Sequence, residues 1–171
     1  MERPPKETRE RLPKLTVQET GHGKGVFAEA PIKEGAEILP FGGERLRTDE
    51  LPTPYNEVED HFVQIGEDLY MGPSGGIDDL FNHSCDPNAG LKIHGEDAVL
   101  VAIRDIKTGE EITWDYSTTM DEDDWELACG CGSPHCRGKV GDFKHLAPEL
   151  KRRYASLGIV PSYLMKYVSK T

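Results

Sequence analysis

Cysteine spacing carries the clearest chemical signal in this chain. Cys129-Gly130-Cys131-Gly132-Ser133-Pro134-His135-Cys136 has C-x-C-x4-C spacing, with glycines and a proline that let a short loop wrap an ion. Zinc takes four ligands in a tetrahedron, with thiolate sulfur at about 2.3 Å. The loop supplies three. The fourth is Cys85, the one other cysteine, or else His135 within the loop. Four thiolates would close the coordination sphere and make the metal structural. The competing readings are a cluster of reduced thiols without metal, and two disulfides. Met1 to Pro13 is charged and proline-rich and lacks the apolar run of a signal peptide, so an intracellular place and reduced thiols are expected.

A second group of reactive side chains lies in Phe81-Asn82-His83-Ser84-Cys85-Asp86-Pro87-Asn88. Asn and Asp near Pro favour turns and bond nearby backbone, so a tight hydrogen-bonded loop is predicted, neither helix nor strand. Asn82 and His83 could face a polar ligand while Cys85 faces a metal and Asn88 the backbone. Gly21-His22-Gly23-Lys24-Gly25 fits a plain hairpin turn, or a turn whose backbone approaches a ligand closely; it matches neither the phosphate-loop nor the dinucleotide pattern. Gly109 to Tyr116 reads as a strand ending in two aromatics, and Trp114 and Tyr116 fall on one face of it. Such a pair fits a core. A tyrosine hydroxyl in a pocket also serves as acid, base or hydrogen-bond donor.

The elements that must position these groups are short strands. From Leu15 to Ser117, brief apolar runs alternate with turn signals, and long helical periodicity is absent. Strands are predicted at Leu15–Val17, Gly25–Ala28, Ala36–Phe41, His61–Ile65, Leu69–Met71, Leu91–Ile93, Ala98–Ile103 and Glu111–Tyr116. One internal echo is visible: Ile32-Lys33-Glu34-Gly35-Ala36-Glu37-Ile38 resembles Ile106-Lys107-Thr108-Gly109-Glu110-Glu111-Ile112. Residues 44–60 read as an irregular insert and 118–127 as a mobile acidic loop. After residue 146 the pattern turns helical: Leu150, Tyr154 and Leu157 form a stripe between Pro148 and Gly158. A second short helix follows Pro161, with Leu164, Tyr167 and Val168, and both pack on the sheet.

Composition sets outer bounds. With 171 residues, 36% hydrophobic and 30% charged, the chain can build one domain with a true core. No apolar run reaches the roughly 20 residues of a membrane span, so no membrane partner is expected. The net charge of −11 argues against direct nucleic-acid binding, which depends on Lys and Arg. It suits a cationic partner, or plain solubility.

Taken in order, Gly23-Lys24-Gly25-Val26-Phe27, Asn82-His83-Ser84-Cys85-Asp86-Pro87-Asn88, Gly109-Glu110-Glu111-Ile112-Thr113-Trp114-Asp115-Tyr116 and Cys129-x-Cys131-x4-Cys136-Arg137-Gly138 resemble the SET-domain protein lysine methyltransferases with a post-SET zinc loop, over about residues 14–140. With no pre-SET cysteine array before residue 14, it looks like the short, stand-alone type, which is an expectation of the resemblance. The resemblance implies a mainly β fold of small curved sheets with a knot-like C-terminal threading. It divides the chain into a flexible tail (1–13), a SET domain (14–118), an acidic loop with the post-SET zinc segment (119–140) and a helical extension (141–171). It implies S-adenosyl-L-methionine as methyl donor, lined by Gly23, Lys24 and Gly25 through backbone and held by Asn82 and His83. Tyr116 matches the catalytic tyrosine. Trp114 matches the position that helps set how many methyl groups are added. Cys85 matches the SET-borne zinc ligand and joins Cys129, Cys131 and Cys136. Phe143, just past the zinc loop, is placed at the adenine or the lysine channel, with simple packing as the alternative.

The expected reaction is methyl transfer to the side-chain amine of lysine in a basic protein, with histone a possible substrate, in the cytoplasm or nucleus. Asp79, Lys24 and His61 depart from the family pattern at positions near the cofactor. They motivate the alternative of an inactive SET-fold module that binds a lysine-containing peptide.

Overall fold

The computed structural model describes residues 12–52, 62–123 and 125–168, and all that follows concerns these. They form small sheets of two or three strands, one α-helix and several 3-10 turns. Strands β1 (Leu15–Thr20) and β2 (Gly23–Ala28) make an antiparallel hairpin. Its turn closes on Gly23, whose φ of +90° lies where only glycine sits without strain. Strand β3 (Glu37–Pro40), β9 (Asp97–Ala102) and β8 (Ala89–His94) form one antiparallel sheet, and β4 (Arg45–Leu46), β6 (Leu69–Met71) and β5 (Val63–Gly66) another. Strand β7 (Asn82–His83) pairs in parallel with β10 (Thr113–Trp114). A last ladder joins β11 (Leu127–Ala128) to β12 (Lys139–Val140).

Strand β9 explains the layering. Its residues alternate between two cores, as side chains on a strand must. Ala98, Leu100 and Ala102 join Val26, Ile38, Leu91, Ile106 and Ile112 in the first. Val99, Val101 and the following Ile103 face the second, built from Phe143, Leu146, Tyr154, Ile159 and Leu164. A strand covered on both faces reads as a continuous apolar run, which is how Ala98–Ile103 reads. Helix α1 (Pro148–Ser156) starts with Pro148 in its first turn, and Gly158 follows it at φ +72°. The segment after Pro161 is a 3-10 turn, Ser162–Tyr167. Gly90 on β8 lets the extension close on the sheet: a Cβ there would meet Ile159 Cγ2 at 2.6 Å.

The internal echo has a structural meaning. Its two copies face each other. Ile32 and Ile106 exchange both backbone hydrogen bonds at 2.8 Å, Gly35 N donates to Ala102 O, and Gly109 N donates to Ala28 O. Each copy therefore caps the strand that precedes the other, and Ile38 and Ile112 enter the core as equivalents.

Four expectations need correction. Asn82–His83 is a strand, because its backbone finds partners in Thr113–Trp114 far along the chain. The predicted strand Glu111–Tyr116 is paired as a strand only over Thr113–Trp114, and Tyr116 opens a 3-10 turn capped by the Asp115 carboxylate. The insert carries β4 and the 3-10 turn Thr48–Glu50; its remainder from 53 onward, like the tail over 1–11, lies outside the described residues. The start of the acidic stretch is not loose. Thr118, Thr119 and Met120 are buried, Tyr163 donates to Thr119 O, and Tyr167 donates to the Asp121 carboxylate.

Candidate active site

The four cysteine sulfurs lie within 4.8 Å of one another. Cys129 Sγ stands 3.7 Å from both Cys85 Sγ and Cys136 Sγ. A tetrahedron with Zn–S near 2.3 Å places its sulfurs about 3.8 Å apart, so the cluster has the dimensions of a zinc site and is far too open for disulfides. The exposed His135 lies outside the cluster. The loop is closed at its base by β11 and β12 and by Cys129 N donating to Gly138 O. Backbone N–H groups of Arg137 and Gly138 lie 3.4 Å from Cys85 Sγ and Cys136 Sγ. Burial works against ionising Cys85 and Cys129; it works against Cys131 too, but N–H groups of Cys85 and Ser133 help bring that thiol down to about 6. The donor set, its spacing and its hydrogen bonds fit a closed four-thiolate zinc site.

One residue past this loop, Arg137 reaches back to β10. Its Nη1 and Nη2 donate to the Asp115 carboxylate at 2.8 and 2.9 Å, Tyr154 OH from α1 donates at 2.8 Å, and Ser117 N at 3.0 Å. The Asp115 side chain is 0% exposed. A single buried carboxylate thus ties the zinc loop and the C-terminal helix to the junction between Trp114 at the end of β10 and Tyr116 at the start of the 3-10 turn. Sequence reasoning passed over this hub. Its signal was an Asp between two candidate aromatics and an Arg beside the last cysteine.

Tyr116 donates its hydroxyl to Phe81 O at 2.6 Å. Burial, and after it the negative charge of Glu111, pushes its phenol far above the ordinary range, so it is a neutral hydrogen-bonding group and no base. Its backbone N–H donates to His83 Nδ1 at 3.1 Å. Burial lowers His83 to about 4 against the opposing pull of Asp115, and its ring is neutral at pH 7. Asn82 commits both amide hydrogens, to Lys24 O at 2.9 Å and to Glu111 Oε1 at 2.8 Å. That leaves its Oδ1 for a ligand. Asn88 locks the turn to β10, donating to Glu111 O and accepting from Thr113 N.

These groups border a cavity of about 620 Å³. Phe41, Phe81, Trp114 and Tyr116 form one aromatic wall, with Trp114 and Tyr116 ring centroids 4.8 Å apart. Phe62, Met71 and Met120 form another, and the chain from Trp125 to Cys131 a third. Among the described residues its charged lining is acidic, Asp78, Asp79 and Glu126, with no Lys or Arg. Thr119 also lines it, with a buried hydroxyl that has no partner among the described residues.

Six of the twelve expected site residues converge here. Asn82, His83, Trp114, Tyr116, Cys129 and Cys131 line the cavity. Gly23, Lys24 and Gly25 stand behind Asn82, while their neighbour His22 lines the cavity. A Cβ at Gly25 would run into the Glu111 carboxylate that Asn82 binds. Phe143 is a correction: it is 0% exposed and does not line the cavity, because its backbone N bonds Met120 O and its side chain belongs to the second core with Val101, Leu146 and Tyr154. Asp79 has a structural task, accepting from Ser74 N and Gly75 N to hold the turn before β7. His61 lies outside the described residues.

Comparison with known proteins agrees with this geometry. The SET domain family model matches residues 23–117. The chain is similar to "Histone-lysine N-methyltransferase ATX2" of Arabidopsis thaliana, at 33% identity over 140 residues, covering 71% of this chain and 12% of that protein. It is similar at 30% identity to "Histone-lysine N-methyltransferase, H3 lysine-4 specific" of Saccharomyces cerevisiae, covering 74% of this chain and 13% of that one. The chain thus spans about an eighth of the length of these relatives. Among solved structures, KRYPTONITE in complex with DNA and SAH superposes with a TM-score of 0.64 at 24% identity, over 78% of this chain and 30% of that one. A second KRYPTONITE structure, with DNA, an H3(1-15) peptide and SAH, gives 0.63 at 24% identity, over 78% and 31%. A family model that covers more than half of the chain, laid over this fold and this cysteine cluster, makes it a member of the SET-domain family.

Proposed function

We propose that this protein transfers a methyl group from S-adenosylmethionine to the side-chain amine of lysine in a protein substrate. The observation that carries the proposal is the position of Tyr116: a protonated hydroxyl, bonded to Phe81 O, on the aromatic wall of a cavity that the cysteine loop also lines. When bound, S-adenosylmethionine supplies an electrophilic methyl on a sulfonium. That SAH occupies the KRYPTONITE structures supports this choice of donor.

The residues have separable tasks. The amine must be neutral to attack, and a free lysine holds its proton to about pH 10.4. Phe41, Phe81, Trp114 and Met71 line the cavity with apolar surface, which disfavours the charged ammonium. Tyr116, fixed by Phe81 O, orients the amine in line with the methyl; alignment of this kind supplies a large part of a barrier reduction. Asn82, its amide held by Lys24 O and Glu111 Oε1, would offer Oδ1 to the bound donor. Trp114, packed on Phe41 and Tyr116, limits the room for added methyl groups. Cys85, Cys129, Cys131 and Cys136 would hold a structural zinc that fixes the third wall. Asp78, Asp79 and Glu126 at the cavity suit a basic substrate segment. The H3 peptide bound to KRYPTONITE and the names of the histone-lysine relatives make a histone tail the first substrate to try. A reducing intracellular compartment, the nucleus included, goes with the four free thiols.

The test is incubation of the protein with methyl-labelled S-adenosylmethionine and H3(1–15), beside the same peptide with each lysine changed to arginine. Label on the lysine peptides alone is the expected result. No label on this peptide or on a lysine-rich protein mixture, with no S-adenosylmethionine bound by calorimetry, would refute the proposal.

A further inference from the structure

The resemblance gives Asn82 and His83 to the cofactor, through side chain and backbone together; in the structure both ring nitrogens of His83 are engaged within the protein. Nδ1 lies 3.1 Å from the backbone N of Tyr116, and Nε2 lies 3.3 Å from Cys85 Sγ. The side chain is 5% exposed, so little water competes for either nitrogen. An amide N–H can only donate, and therefore Nδ1 carries the lone pair. With Nδ1 accepting, the ring's N–H sits on Nε2, 3.3 Å from the sulfur. A metal-bound thiolate is an acceptor, and the two ends agree on one tautomer. The other tautomer would set an Nδ1–H against the Tyr116 N–H. The carboxylate of Asp115 offers no better partner for Nδ1: its Oδ1 is 3.6 Å away and already takes Arg137 and Ser117.

We infer that His83 is a positioning residue that joins the metal centre to Tyr116, donating Nε2–H to the Cys85 thiolate and accepting the Tyr116 backbone N–H at Nδ1. The inference rests on the zinc and methyl-transfer reading of the same site. Strand register holds the ring in place: His83 pairs with Trp114 between β7 and β10, and the ladder continues with Ser84 N donating to Trp114 O at 3.1 Å. The ring also packs edge-on against the Tyr116 ring, centroids 5.3 Å apart. Cys85 is consequently held by two donors, Arg137 N and His83 Nε2. A hydrogen bond from a histidine to a metal ligand tunes the ligand and fixes its orientation, and losing such a partner typically costs 10–100-fold in metal affinity or activity. Here the same ring also fixes the backbone from which Tyr116 projects. Metal occupancy and the position of the tyrosine hydroxyl are one mechanical unit.

The decisive experiment needs no variant fold. In the ¹⁵N-labelled, zinc-loaded protein at pH 7.5, long-range ¹H–¹⁵N correlation reads the tautomer of each ring, with His83 assigned by its absence in His83→Gln. A protonated Nε2 and an unprotonated Nδ1 are expected; the reverse overturns the inference. Two variants divide the contacts. His83→Asn keeps an acceptor near Nδ1 and loses the donor to sulfur, so a chromogenic chelator should strip its zinc roughly tenfold faster, and the thiolate-to-metal band of its cobalt form should shift. His83→Gln can reach the sulfur and loses the acceptor for Tyr116, so its kcat should fall with zinc release near that of the wild type. Unchanged zinc release in His83→Asn would overturn the inference, as would failure of the wild type to take up zinc. The expected tautomer and faster release, in a protein that transfers no methyl, would uphold the link and refute the activity reading.

Discussion

Replacing Arg137 with alanine should be the most damaging single change outside the cavity. Arg137 is the counter-charge of Asp115, whose side chain is 0% exposed and takes both guanidinium nitrogens at 2.8 and 2.9 Å. Truncation leaves a buried carboxylate with only Tyr154 OH and Ser117 N as donors. Breaking a buried ion pair from one side costs about 3–5 kcal/mol. For a chain of this size that corresponds to a fall in Tm of roughly 6–20 °C. The control is Lys139→Ala, which removes an ion pair to Glu126 whose side chains are 63% and 58% exposed; such pairs contribute about 0–1 kcal/mol. Urea unfolding of the zinc-loaded proteins, fitted with a common slope, measures both. A loss below about 1 kcal/mol for Arg137→Ala, equal to that of Lys139→Ala, would refute the role given to Asp115 as the junction of strand, zinc loop and helix. Asp115→Asn combined with Arg137→Met should recover part of the loss, since no lone charge is then left buried.

Other outcomes follow from the same geometry. Burial raises Tyr116, Tyr154 and Tyr163 above the ordinary phenol range, so the folded state favours the protonated form: their contribution is intact below about pH 10 and is lost as pH rises beyond it. Unfolding free energy should hold steady from pH 8 to 10 and then fall, and a flat profile to pH 11.5 would contradict those burials. Removing metal with a chelator should release backbone protection over Cys129–Val140 while β8 and β9 stay protected, read by hydrogen exchange; uniform loss across the chain would show that the cysteine site holds the whole fold. Thr119→Val replaces a buried hydroxyl that has no partner among the described residues with a methyl of the same shape, and should stabilise the protein by about 1 kcal/mol, seen as a higher urea midpoint. A lower midpoint would mean that the hydroxyl is satisfied in solution.

Local chemistry made much of the site legible. The zinc loop needs its ligands close in sequence, and its glycines turn at positive φ, as at Gly132 and Gly138. The hairpins announced themselves through turn residues between apolar runs, and the two similar heptapeptides marked a device that the fold uses twice. What escaped was set by partners far along the chain. Nothing near Asn82–His83 tells of Thr113–Trp114, so the segment read as a loop. Asp115 became a hub only when Arg137 and Tyr154 arrived from the zinc loop and α1. The acidic stretch looked mobile because the hydroxyls of Tyr163 and Tyr167 that hold it come from the C-terminal extension. Phe143 follows the zinc loop in sequence, yet the second core beneath β9 claims its ring.

Tyr116→Phe tests the proposed chemistry most directly. The substitution removes one hydroxyl and its bond to Phe81 O and leaves the ring on the cavity wall, so fold, zinc content and S-adenosylmethionine binding should persist. Single-turnover transfer of labelled methyl to a lysine peptide should fall by roughly 100-fold or more, the scale of losing alignment at the reacting atoms. Transfer by the variant at close to the wild-type rate, with cofactor affinity unchanged, would contradict the assignment of Tyr116 as the residue that orients the reaction.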